Sequence, residues 1–147
     1  MKLKKIITQF SPNPNQPTSF DLLATAGSLP MATSFKIGKI YKQLAKEHDE
    51  FYALREKKIK EYGEVFYIDE KGKETKDKKK GKESTRVKPE NVDKFNKEVN
   101  ELLEMDINTT FDPIKVSDLG EPKFRESEFI KMTPLDIVSN LAWLITE

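Results

Sequence analysis

The chain has 147 residues, a length that fits one small domain with little core to spare. Hydrophobic residues make up 36% and charged residues 35%, and 26 lysines and arginines meet 25 acids for a net charge of +1. That balance argues against a surface that grips nucleic acid over its whole area and against an acidic mimic of DNA, and the lack of cysteine removes disulfides, zinc–thiolate sites and thiol nucleophiles.

The opening "MKLKKIITQFSPNPNQ" has too short an apolar run for a signal peptide, and no stretch approaches the roughly 18 apolar residues of a membrane span. A cytoplasmic protein with no membrane attachment is expected. Residues 3–10, with Ile6, Ile7 and Phe10, read as a strand. Prolines 12, 14 and 17 then exclude a helix or a central strand. A short helix follows over 18–27, capped by Thr18 or Ser19 and ended by Gly27. "SLPMATS" reads as an extended connector.

The strongest helical pattern runs from Ser34 to Tyr62. Ile37, Tyr41, Leu44, His48, Phe51, Arg55 and Tyr62 recur at threes and fours, and Gly63 ends the run. Such a helix of about 28 residues would be roughly 42 Å long and cannot bury its stripe alone. A second helix opens on Pro89 and Glu90 and carries Val92, Phe95, Val99, Leu102 and Leu103 on one side. The matching stripes predict an antiparallel hairpin. Between them "EVFYI" (64–68) and "STRVK" (84–88) have strand composition and are expected to pair as a ribbon, with 69–83 as its loop. After the second helix, "MDINTTFDPIKVSDL" suggests one or two short strands, and "GEPKFRESEFIKM" offers Phe124, Phe129, Ile130 and Met132 as core points. A final helix over 134–146 has Thr133 as N-cap, Pro134 at its first position and Asp136 in the capping-box place.

The expected organisation is α+β: a strand, proline-rich arm and short helix over 1–33, then a helical-hairpin domain over 34–147 with a small β ribbon or sheet and a short C-terminal helix. Few residues in it suggest chemistry. Residues 69–84 hold seven lysines and five acids, a net of about +2, and each carboxylate repels the phosphate that a lysine attracts. A solvated, mobile loop is therefore preferred to a nucleic-acid contact through Lys78, Lys79, Lys80 and Lys82. His48, the single histidine, lies on the apolar stripe, with Phe51 and Tyr52 where a second metal ligand would stand, so it reads as a packing residue. Arg55 invites an ion pair with Glu98 or Asp106, or a role in binding. No serine, lysine or carboxylate pair has a catalytic spacing, and no metal or other cofactor is implied. Phe10, Phe20, Arg55, Leu141 and Trp143 are the candidate protein-contact residues, because large aromatic side chains dominate binding hot spots.

The run "KIGKIYKQLAKEHDEFYALREKKIKEYGE", the later "KPENVDKFNKEVNELLEMDI" and the closing "MTPLDIVSNLAWLITE" together resemble a family of small proteins of tailed bacteriophages with no assigned activity. That family shows a basic helix ending in a Lys-Tyr-Gly-Glu type motif, a charged excursion, a Pro-Glu-Asn helix opening and a short C-terminal helix. The matching points are Tyr62, Gly63 and Glu64, then Pro89, Glu90, Asn91 and Phe95, then Thr133, Pro134 and Leu141. The resemblance covers about two thirds of the chain, from residue 35 onward, and implies a viral origin and work done by binding. On it, the chain is expected to be a non-enzymatic virion or assembly component in the host cytoplasm or in the particle, with its N-terminal arm draped over a protein neighbour and homo-oligomers allowed. The alternatives are an inhibitor of a host defence enzyme, nuclease or polymerase, and a nucleic-acid-binding accessory protein.

Overall fold

The computed structural model describes every residue except 128, 129 and 131, so the proposed core role of Phe129 lies outside the described residues. Helix and small sheets are mixed, as expected, and the chain falls into two compact units. Residues 1–48 and 106–147 form one; residues 49–105 form the other. The boundary expected at residue 33 is not where they part.

In the first unit, α1 (Leu3–Ile7) replaces the expected N-terminal strand. Leu3, Ile6, Ile7 and Phe10 are spaced by threes and fours, a helical stripe, and Leu3 and Ile6 are buried by it. The proline-rich stretch is no free arm. Met1 exchanges hydrogen bonds with Ile107, the Ser11 amide donates to Asp21 Oδ2 at 3.2 Å, and Arg125 donates to the Pro14 carbonyl at 3.1 Å. α2 (Ser19–Ala24) starts at a capping box: Asp21 N donates to Thr18 Oγ1, and Thr18 N donates back to Asp21 Oδ2. Gly27 does not end this helix but bridges to Lys123 through two 2.8 Å backbone hydrogen bonds.

α3 (Met31–Tyr62) starts three residues before the expected Ser34, taking in most of the stretch read as a connector. Thr33 is buried there and donates to the Asp118 carbonyl at 2.6 Å. The helix contributes Ile37, Ile40 and Leu44 to the core of the first unit. That core also takes Ile6, Phe20, Leu22 and Leu23 from the N-terminal helices, and Ile114, Leu119, Ile137, Leu141, Leu144 and Ile145 from the C-terminal segment. Phe124, Ile130 and Met132 pack on its edge.

The last helix is shorter than expected. α5 (Pro134–Asn140) begins at the Thr133–Asp136 capping box and ends at Leu141, after which Ile145–Thr146 forms β5, parallel to β4 (Ile114–Lys115). Leu144 and Ile145 both donate to the Leu141 carbonyl, and Ile114 donates to the Leu144 carbonyl, so strand pairing takes over where the helix would have continued. On α5, Ile137 is buried and Leu135 is exposed. Asn140 Nδ2 donates to Ser19 Oγ at 3.0 Å, tying α5 to α2.

The second unit holds the end of α3, a three-stranded antiparallel sheet and α4 (Val92–Leu103). In the sheet, β1 (Gly63–Asp69) lies between β2 (Glu74–Thr75) and β3 (Gly81–Val87). β1 and β3 pair from Gly63–Val87 to Asp69–Gly81, which is the expected ribbon with a third strand added from inside the lysine-rich stretch. Helix passes into strand at Gly63 with no linker. A β-carbon there would collide with the Ile59 carbonyl and lie 2.7 Å from the Arg86 carbonyl oxygen, so only glycine fits. Tyr62, the last residue of α3, accepts from Lys88 N at 3.0 Å and from Asn91 Nδ2 at 3.1 Å, which satisfies a carbonyl the helix end leaves open. Pro89–Asn91 forms a single 3-10 turn that leads into α4.

Candidate functional site

Most of the residues expected to meet a partner are used for packing. Phe20 and Leu141 are fully buried, so neither presents surface, which corrects that expectation. Phe10, Phe20, Tyr41, His48 and Trp143 form one aromatic cluster. Phe10 lies edge-on to Phe20 (5.8 Å between centroids) and Tyr41 (5.3 Å), and Trp143 lies edge-on to Phe20 (5.6 Å) and Phe111 (5.7 Å). Edge-to-face rings are attractive beyond their buried area, so the cluster stabilises the first unit. His48 is half-buried with its ring 4.9 Å from that of Phe10, the packing place its position on the stripe predicts.

The lysine-rich stretch is organised by its own acids. Asp69 Oδ1 accepts from the amides of Lys71 and Lys73, and Asp77 Oδ1 accepts from Lys79 N, each at 2.9 Å, so these carboxylates shape the turns. Lys78, Lys79, Lys80 and Lys82 are exposed, but Lys79, Lys80 and Lys82 share a shallow depression with Asp69 and Glu70. A phosphate entering it would meet both signs of charge. Beside it, Arg86 of β3 joins all three strands. Its Nε donates to Glu64 Oε1 of β1 at 2.9 Å, and its two terminal nitrogens donate to the Glu74 carboxylate of β2 at 2.7 and 2.8 Å. The guanidinium also stands 4.5 Å from the Phe66 ring centroid. The hydrogen bonds from Arg86 hold the Glu74 carboxyl below its usual range, and those to Glu74 and Glu64 raise the guanidinium further.

A groove of about 360 Å³ lies in the second unit. Phe51, Leu54, Arg55 and Lys58 of α3 line it together with Phe95, Glu98, Val99, Glu101 and Leu102 of α4 and Met105 beyond the helix end. Its floor is apolar. Phe51 and Phe95 are buried, whereas Leu54 is 40% and Met105 52% exposed. The charged side chains sort by helix, cations on α3 and anions on α4.

Arg55 does not pair with Glu98, contrary to one expectation; its ion partner is the adjacent Glu56, at a loose 3.9 Å. Lys58 donates to Glu61 at 3.1 Å, and that hydrogen bond, with the negative field of Glu98 contributing, raises its ammonium above the ordinary lysine value. Glu98 Oε2 is buried in the groove wall with no hydrogen-bond partner.

Leu54, Lys58, Glu101 and Met105 did not emerge from the sequence as site residues. The signal available was Leu54 and Met105 themselves, apolar residues outside both core stripes. Among the described residues no group of histidine and acidic side chains is placed to hold a metal ion, and no helix is long and apolar enough to cross a membrane. Comparison of the chain with protein-family models, curated proteins and solved structures finds no match.

Proposed function

We propose that this chain works without catalysis, through protein contacts, as a virion or assembly component of a tailed bacteriophage. It would act in the host cytoplasm or in the particle. The observation that carries the protein-contact reading is the groove: exposed Leu54 and Met105 over the buried Phe51 and Phe95, with an unpartnered Glu98 oxygen in the wall. Exposed apolar surface rimmed by charge is the usual form of a protein-binding site. The phage origin rests on the sequence resemblance alone.

In this reading the second half of α3 and α4 form the antiparallel hairpin expected from their stripes. Two observations support it. The Tyr62 carbonyl, at the end of one helix, accepts from Lys88 and Asn91 at the start of the other. Residues early in one helix and late in the other also line the same groove.

The test is an affinity pull-down of the tagged full-length chain from infected cells, with and without nuclease, read by mass spectrometry. Portal, capsid or tail proteins recovered by the wild type, and lost with Leu54→Glu, are the expected result. Recovery of a single host protein would replace this reading with that of an inhibitor. Recovery abolished by nuclease would move it to nucleic-acid binding through the lysine-rich stretch.

A further inference from the structure

We infer that the occupant of the groove is the groove of a second copy of this chain, so that two hairpins close into a four-helix arrangement. The inference rests on the hairpin and protein-contact reading above and names the partner. Charge complementarity carries it. Arg55 and Lys58 stand on the α3 wall, and Glu98 and Glu101 on the α4 wall.

Two hairpins can meet face to face about two kinds of two-fold axis. An axis across the helices sets α3 on α3 and brings Arg55 and Lys58 of both copies together. An axis parallel to the helices sets α3 of one copy on α4 of the other, antiparallel and at the same level. Like charges in the first are repelled; in the second, the cationic α3 wall faces the anionic α4 wall. The charge pattern therefore selects the second axis. It brings Arg55 of one copy, which holds its own Glu56 only at 3.9 Å, to the acidic wall of the other, where Glu98 and Glu101 stand. Leu54 and Met105, exposed in the single chain, become the apolar seam. Isologous contact makes each gain twice, once on each side of the axis.

Sedimentation of the full-length chain over a wide concentration range tests this, using three variants: Arg55→Glu, Glu98→Arg, and the double exchange Arg55→Glu with Glu98→Arg. The wild type is expected to form a dimer. Each single reversal should weaken it by about tenfold or more, and the double exchange should restore most of the affinity, since it returns opposite charges to facing positions. Circular dichroism of each variant confirms that the helices survive, and rescue by the double exchange excludes misfolding as the cause of the loss.

A wild type that stays monomeric overturns the inference, as does a dimer indifferent to all three variants. Nuclear Overhauser contacts between Phe51 or Leu54 and Phe95 or Leu102 report the hairpin separately. A monomer that shows them and still recovers particle proteins leaves the protein-contact reading standing and removes only the second copy. Their absence removes the hairpin, and the inference with it.

Discussion

In the unit formed by residues 1–48 and 106–147, apolar side chains from α1, α2, α3, α5 and the β4–β5 pair converge on one continuous core. In residues 49–105, the end of α3, a sheet and α4 bury only Phe51 and Phe95 among the hydrophobic side chains. The exposed large apolar residues are shared unequally in the opposite sense. Tyr52, Leu54, Val65, Ile68, Val92 and Met105 belong to the smaller second unit, against Met31, Phe35, Val116 and Leu135 in the larger first unit. A small unit has too much surface for its volume to cover its own apolar side chains, and a partner can supply the missing cover. The contrast teaches where to look for function: the first unit closes one continuous core, and the smaller second unit leaves a larger share of its apolar side chains open.

The largest effect should come from the dense core. Phe20→Ala removes a fully buried ring that Phe10, Tyr41 and Trp143 all touch, and should cost about 4 kcal/mol in denaturant unfolding. The matching change in the sparse unit, Phe95→Ala, borders an open groove and should cost about 2 kcal/mol. Equal losses at the two positions would break the comparison. Gly63→Ala forces the helix-to-strand junction apart and should cost about 2 kcal/mol by the same measurement, with the amide-exchange protection of β1 and β3 falling first.

A smaller change sharpens the contrast in the first unit. Thr133→Ala removes the hydroxyl that accepts from Asp136 N at 3.2 Å and donates to Asp136 Oδ2 at 2.6 Å, and should cost about 1 kcal/mol. The smallest effect is that of pH. Asp136, held low by its hydrogen bonds from Thr133, and Glu74, held low by Arg86, both have folded values below their unfolded ones. The unfolded chain therefore binds more protons as pH falls below the ordinary carboxylate value of about 4. The stability these groups contribute is present above that pH and is lost as pH falls through their folded values. Both are exposed, so the change is small. An acid titration of unfolding should flatten slightly in Thr133→Ala for one unit and in Arg86→Ala for the other; unchanged slopes in both would exclude these two carboxylates as contributors.

Much of the fold was legible because it is local. Periodicity marks α3 and α4, the Thr133 capping box is a four-residue pattern, and β-rich composition marks β1 and β3, whereas the cap of α2 is left between Thr18 and Ser19 until the structure assigns it to Thr18. The errors share one cause. Composition points to a strand over residues 3–10 whereas their spacing of threes and fours is helical, and the apolar run that predicts a helix to residue 146 is interrupted by β5. The candidate site was less legible still. Aromatic residues suggest contact points, but aromatics also favour the interior, and composition does not separate the two uses.

By itself, then, the sequence determined which segments coil, turn and cap, since hydrogen bonds and sterics over a few residues decide those. The tertiary structure alone decided that Phe20 and Leu141 are interior and Leu54 and Met105 are open, and that Glu98 Oε2 is buried without a hydrogen-bond partner. Burial is the sum of contacts between segments far apart in the chain, and no local pattern contains that sum.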